Sequence, residues 1–186
     1  MRAAKTEAIA RASQVSTATL FNYFPSKAAL AGAWVRGELD RAIQTAAQEL
    51  SDRGLRPILR AACRGLAAQS RDAPALRLDA WQAAGRARNA GGEGPGFERV
   101  GREGGGLLVE AVRREQQGER VRSDVSPGVL AEMLLDALES GLIAGLRADQ
   151  TEDAVARGLQ ARVDLILDGA RKRNERVESP RRAEGP

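Results

Sequence analysis

The run IARASQVSTATLFNYFPSKAAL, from Ile9 to Leu30, decides the fold. Its punctuation predicts two short helices and the start of a long one. Thr6 can cap a helix over 7–12, Ser16 a second over 17–24, and Ser26, following Pro25, a third reaching about Leu50. Only Ser13, Gln14, Val15 and Ser16 join the first two. Helices this short need tertiary packing to persist. Ile9, Val15, Leu20 and Phe24 are expected to converge on one side, with Leu20 and Phe24 stacked at i, i+4. The opposite face of the second helix carries Thr17, Ala18, Phe21 and Asn22. That surface is short, uncharged and mixed in polarity. It suits a major groove, where Thr17 and Asn22 can bond base edges and Ala18 or Phe21 can touch thymine methyls. This is helix-turn-helix geometry, with the second helix as reader.

Charge and aromatics concentrate in the same place. Of the net +4, all lies in residues 1–36, where Arg2, Lys5, Arg11, Lys27 and Arg36 face only Glu7; the remaining 24 bases and 24 acids cancel. Phe21, Tyr23, Phe24 and Trp34 are four of the six aromatics. A basic, aromatic terminal segment on a balanced body points to a polyanion partner.

Quoted in full, residues 9–30 resemble the helix-turn-helix signature of the tetracycline-repressor (TetR) family, approximately I-A-x-x-A-G-V-S-x-x-T-L-Y-x-Y-F-x-S-K-E-x-L. The likeness is ungapped and covers about 25 residues, far more specific than a generic pattern. It implies an all-helical, dimeric transcription regulator, usually a repressor released by a small-molecule effector. It implies phosphate contacts from Thr6, Ser16, Tyr23 and Lys27, and base contacts from Thr17, Ala18, Phe21 and Asn22. Three departures stand out. Gln14 sits at the turn position where the family has glycine, at a cost of about 1 kcal/mol if the backbone there is left-handed. Phe21 replaces a commoner tyrosine. The family also carries a further helix before the one beginning near Thr6, so the chain reads as lacking its first helix.

Outward from that stretch, the pattern is helical throughout and the class is all-α. Pro57 suits a first turn leading to about Ser70, and Asp72 with Pro74 opens a helix to about Ala84. Residues 85–96 are glycine-rich and read as a connection. Helices follow over 97–117, 127–147 (opened by Ser126 and Pro127) and 152–172 (opened by Thr151). The expected organisation is a helix-turn-helix domain over 1–45, a helical effector-binding and dimerisation domain over 46–172, and a disordered tail over 173–186.

The last two helices carry apolar rows: Leu130, Leu134, Leu138, Leu142 and Leu146 on one, Val155, Leu159, Val163, Ile166 and Leu167 on the other. The resemblance implies that they pair with a second copy. The interface expected is Leu134, Leu138, Gly141, Leu142, Gly145, Leu159, Val163 and Ile166; the alternative is a hairpin within one chain. A ligand pocket is expected among 57–70, 73–84 and 97–117, with Trp81, Phe97 and Glu110 as candidates.

Several classes fall away. Histidine is absent, which removes the commonest general base and metal ligand. A lone cysteine, Cys63, leaves no disulfide framework and no cysteine-rich metal site; it reads as a small buried apolar residue, with Arg60 and Arg64 the only neighbours favouring a redox role. No paired-carboxylate motif or phosphate loop appears, so the reading is not an enzyme, with no cofactor and no metal. No apolar run approaches the roughly 20 residues of a membrane span, and no signal-peptide core is present, so the expected location is cytoplasmic. The rival function is a dimeric helical ligand binder or scaffold that, lacking the first helix, does not bind double-stranded DNA productively.

Overall fold

The computed structural model describes residues 6–89 and 102–171, apart from the side chains at 51, 86–89 and 102–104. Among them lie eight α-helices and one short 3-10 turn. They are α1 (Thr6–Ala12), α2 (Thr17–Tyr23), α3 (Lys27–Leu50), the turn Ser51–Arg53, α4 (Leu55–Ser70), α5 (Pro74–Asn89), α6 (Arg102–Gln117), α7 (Pro127–Arg147) and α8 (Glu152–Gly169).

The sequence's punctuation explains most of the boundaries. Ser126 and Thr151 cap α7 and α8, their hydroxyls accepting from the backbone N–H of Val129 (3.3 Å) and Ala154 (3.4 Å). Pro127 follows its cap directly, where its missing N–H is harmless. α4 starts at Leu55, which puts Pro57 in its first turn as expected. Two helix ends differ by more than a residue. α8 stops at Gly169, short of the expected 172. α5 continues to Asn89, past the expected stop near Ala84, because Gly85 alone does not end a helix that packing supports. The tail at 173–186 lies outside the described residues.

α3 is the axis of the molecule. At 24 residues it is roughly 36 Å long. Its first turn adjoins α2, and from Ala31 onward its side chains enter the core. It runs unbroken through position 45. α4, α5 and α6 pack along it, while α8 packs on α4 and α7. Val35, Leu39, Ile43, Leu59, Leu66, Leu108, Leu138 and Leu159 are fully or almost fully buried in one continuous interior.

The leucine rows of α7 and α8 line that interior. Leu134, Leu138, Leu142, Leu159 and Val163 are buried inside a single chain, and Ile166 packs against them. The assignment of these side chains to a second copy is therefore corrected: they face α4, α6 and each other. Gly141 and Gly145 serve the same intrachain contact. A Cβ at Gly141 would lie 2.8 Å from Leu159 Cδ2, and one at Gly145 would lie 2.9 Å from Val155 Cγ2. The glycines are what let α7 and α8 approach.

Ion pairs fasten the outer surfaces. Arg56 on α4 pairs with Asp164 and Asp168 on α8, and Arg60 reaches Asp164 at 2.8 Å. The Arg60 hydrogen bond, with Arg56 beside it, holds the Asp164 carboxyl below its ordinary range. Between α3 and α5 the sequence reading missed a second tie. Arg77 is almost buried, stacks 5.3 Å over Trp34, pairs with Glu38 and donates Nε to the Asp72 carbonyl at 2.7 Å. An isolated arginine in a sequence gives no sign of Glu38 and Trp34 as partners, which lie 39 and 43 positions away.

Candidate nucleic-acid interface

The α1–α2 turn is built as the sequence implies. Ser13 donates its backbone N–H to the Ile9 carbonyl, Gln14 to Arg11 and Val15 to Ala10, closing α1. Gln14 has φ of 56°, in the left-handed region, so the conditional cost of a non-glycine residue there applies. Ser16 then caps α2. Its hydroxyl accepts from Thr19 N–H at 3.0 Å and bonds the Thr19 hydroxyl at 2.8 Å. Phe24 N–H closes α2 on the Leu20 carbonyl, and Ser26 caps α3 by accepting from Ala29 N–H at 3.0 Å.

Burial sorts the side chains of this segment. Ala10 and Leu20 are buried where α1 meets α2, and Ile9 and Phe24 are half-buried. Val15 does not join them: it is 40% exposed, so the expected apolar convergence is incomplete. On the outer side Ala18, Phe21, Asn22 and Tyr23 are all exposed, with Phe21 at 41% and Tyr23 at 44%. Thr17 is half-buried at the helix start, and Lys27 is exposed at the start of α3. Thr6 behaves differently from the other expected phosphate contacts. It is the first residue of α1, not a residue before it, and it is buried.

The arrangement has a chemical logic. A single helix surface offers an amide (Asn22), a methyl (Ala18) and a ring (Phe21), the complement of base edges in a groove. Tyr23 and Lys27 border it with a phenol and a point charge suited to phosphate oxygens. No acid lies on α2, so nothing on that helix repels a polyanion.

The expected ligand residues are not brought together. Trp81 is buried in the core, Glu110 is on the surface paired with Arg113, and Phe97 lies outside the described residues. Cys63 is fully buried and burial pushes its thiol up to about 12, which leaves it protonated and inert. Two hollows that sequence reasoning did not find open elsewhere. One, of about 540 Å³, lies between the α4–α5 and α7–α8 turns and is lined by Ser70, Arg71, Gly145, Thr151 and Glu152. The other lies at the opposite end of α4. No group of three or more metal-ligating side chains occurs among the described residues, and no described helix is long and apolar enough to cross a membrane.

Residues 1–33 match the family model for bacterial regulatory proteins of the tetR family. Comparison of the whole chain with curated proteins and with solved structures returned no match. The matched segment contains the whole of α1 and α2, the outward face just described and the start of α3, so the likeness to that family is confined to the N-terminal helices.

Proposed function

From a TetR-family N-terminal segment, we propose that this protein is a sequence-specific regulator whose α2 enters the major groove. Its action is repression, relieved by a small molecule bound in the helical body over 46–172. The observation that carries the reading is the exposed, acid-free face of α2 (Ala18, Phe21, Asn22) flanked by Tyr23 and Lys27. Ser16 and Thr17 lie at the N-terminus of α2, whose backbone N–H groups favour a phosphate.

Base-reading and phosphate-holding residues are separable by experiment. Lys27→Ala should weaken specific and non-specific DNA alike and flatten the salt dependence by about one unit of slope per protomer. Asn22→Ala should instead erode the preference for the operator, by about 1–3 kcal/mol of discrimination. Gel shifts with fragments from the promoter region beside its own reading frame check both. No shift at all with any fragment, at low salt and micromolar protein, would favour the scaffold reading.

Pairing of two copies is the second element of the proposal. With the leucine rows facing inward, the surface left for a partner is the outer side of α7 and α8. Met133 is 47% exposed and Leu165 75%, and helical spacing puts small residues, Ala137, Ala144, Gly158 and Ala161, along the same side. Met133→Glu with Leu165→Glu should convert a dimer to a folded monomer in sedimentation. An unmutated chain that sediments as a monomer at micromolar concentration overturns the pairing.

A further inference from the structure

Where α3 ends, away from α2, the start of α4, the end of α6 and the end of α8 enclose a cavity of about 360 Å³. Its apolar lining is Leu55, Val121 and Leu167, each at most 7% exposed, and its polar lining is dominated by the guanidinium groups of Arg56, Arg120 and Arg171. The enclosure is fastened across the chain: Arg122 N–H donates to the Ala170 carbonyl at 2.8 Å, and Val121 and Arg171 form an isolated antiparallel bridge.

One carboxylate stands in the wall, and both its oxygens are engaged. Glu115 Oε1 accepts from Leu55 N–H at 3.2 Å, and Oε2 accepts from Arg120 Nε at 2.6 Å. Gly54, at φ of 84°, keeps the space clear, since a Cβ there would come within 2.9 Å of Glu115 Oε1. Arg120 holds the Glu115 carboxyl below its ordinary range, so it stays an anion. In the lining itself three guanidinium groups, of Arg56, Arg120 and Arg171, stand with one carboxylate, Glu115, while Arg56 and Arg171 also pair outward with Asp164 and Asp168. The side chains of Arg120 and Arg171 are 64% and 69% exposed. Each guanidinium has five donors, and the Glu115 bond uses only Nε of Arg120.

We propose that this cavity binds a small amphipathic carboxylate. The carboxylate is held by Arg120 and Arg171 at the mouth, and its short chain or ring lies against Leu55, Val121 and Leu167. Arginine matches the planar, two-oxygen geometry of a carboxylate. The three guanidinium groups in the lining favour an anion, and the apolar lining rewards an anion with an apolar body over a bare inorganic one. A volume of 360 Å³ is at the small end of the roughly 300–1,000 Å³ typical of ligand sites, which limits the ligand to a short chain or a single ring. The site names a chemical class for the effector and rests on the regulator reading for its biological role. Its test uses no DNA, so the two can fail separately.

The test is a calorimetric titration of the full chain with octanoate, using octan-1-ol and inorganic phosphate as comparators. Saturable binding of one octanoate per chain is expected, with the alcohol and phosphate each at least about tenfold weaker. Arg120→Gln and Arg171→Gln should each weaken octanoate about tenfold. Arg71→Gln, an exposed arginine at the other end of α4, should leave it unchanged. Circular dichroism establishes that the variants are folded. Absence of saturable octanoate binding, equal affinity for octan-1-ol, or indifference to both cavity arginine changes overturns the proposal.

Discussion

α3 has one end beside the short helices α1 and α2 and the other inside the core, and the two surroundings differ in almost every physical respect. Around its first turns, α1 and α2 are seven residues each and in contact, with Ala10 and Leu20 buried, while Val15, Phe21 and Tyr23 remain about 40% exposed. Past Ala31, the same helix sends Val35, Leu39 and Ile43 into an interior shared by α4 to α8. The first region leaves much of its apolar and aromatic surface uncovered. The second satisfies itself. Its tight points, Gly141 and Gly145, and its outer clamp of Arg56, Arg60 and Asp164, hold helices distant in sequence. A short helix pair can therefore open without the body opening, since local stability follows buried apolar contact.

The sharpest way to break that comparison is Gly141→Leu. Its Cβ alone meets Leu159 at 2.8 Å, so the side chain forces α7 from α8 and should cost about 1–3 kcal/mol or more. Denaturant melts of the whole chain should show this loss at every protein concentration, because the contact lies within one chain. A loss that vanished at high concentration would place the glycine at an interface between copies instead.

Asp164→Asn should have a smaller effect, about 1 kcal/mol at neutral pH once solvent screening of the half-exposed Arg60 is allowed for. Its pH dependence is the informative part. Arg60 and Arg56 lower the folded carboxyl below its ordinary 3.8, so the clamp is complete above that value and is lost as pH falls through the lower folded one. The gap between parent and Asp164→Asn melting temperatures should accordingly be full at pH 6 and shrink below about pH 4. A gap that stayed constant down to pH 3 would remove the clamp from the body's stability.

Gln14→Gly is the mildest change and acts on the other region. Glycine relieves the left-handed backbone at φ of 56° and should gain up to about 1 kcal/mol. The gain should appear as slower amide exchange in residues 6–24 with little change in 127–169. Equal slowing in both segments would mean that the two regions open together.

Legibility differed between the regions for a physical reason. Helix starts rest on local bonds, so Ser16, Ser126 and Thr151 could be read directly as caps and are found capping. Which side of α2 is uncovered follows from helical spacing once Leu20 is taken as buried, and Ala18, Phe21 and Asn22 are exposed. The body was legible only as a set of helices. The rows holding Leu138 and Leu159 were recognisable as buried, but periodicity says that a face is covered and not by what. They are covered by the same chain. Trp81 and Glu110 share no hollow, because their helices turn one into the core and the other to solvent.

By itself, then, the sequence determined the all-helical class, the caps, the turn with its misfit Gln14, and the composition of the face on α2. All of these depend on residues within about four positions of one another, where backbone geometry fixes the contact. Tertiary structure alone decided the burial of Arg77 beside Trp34 and Glu38, the inward direction of the α7 and α8 rows, and the gathering of Arg56, Arg120 and Arg171 around one apolar hollow. Those residues stand up to 115 positions apart, and only the packing of α4, α6 and α8 brings them within reach.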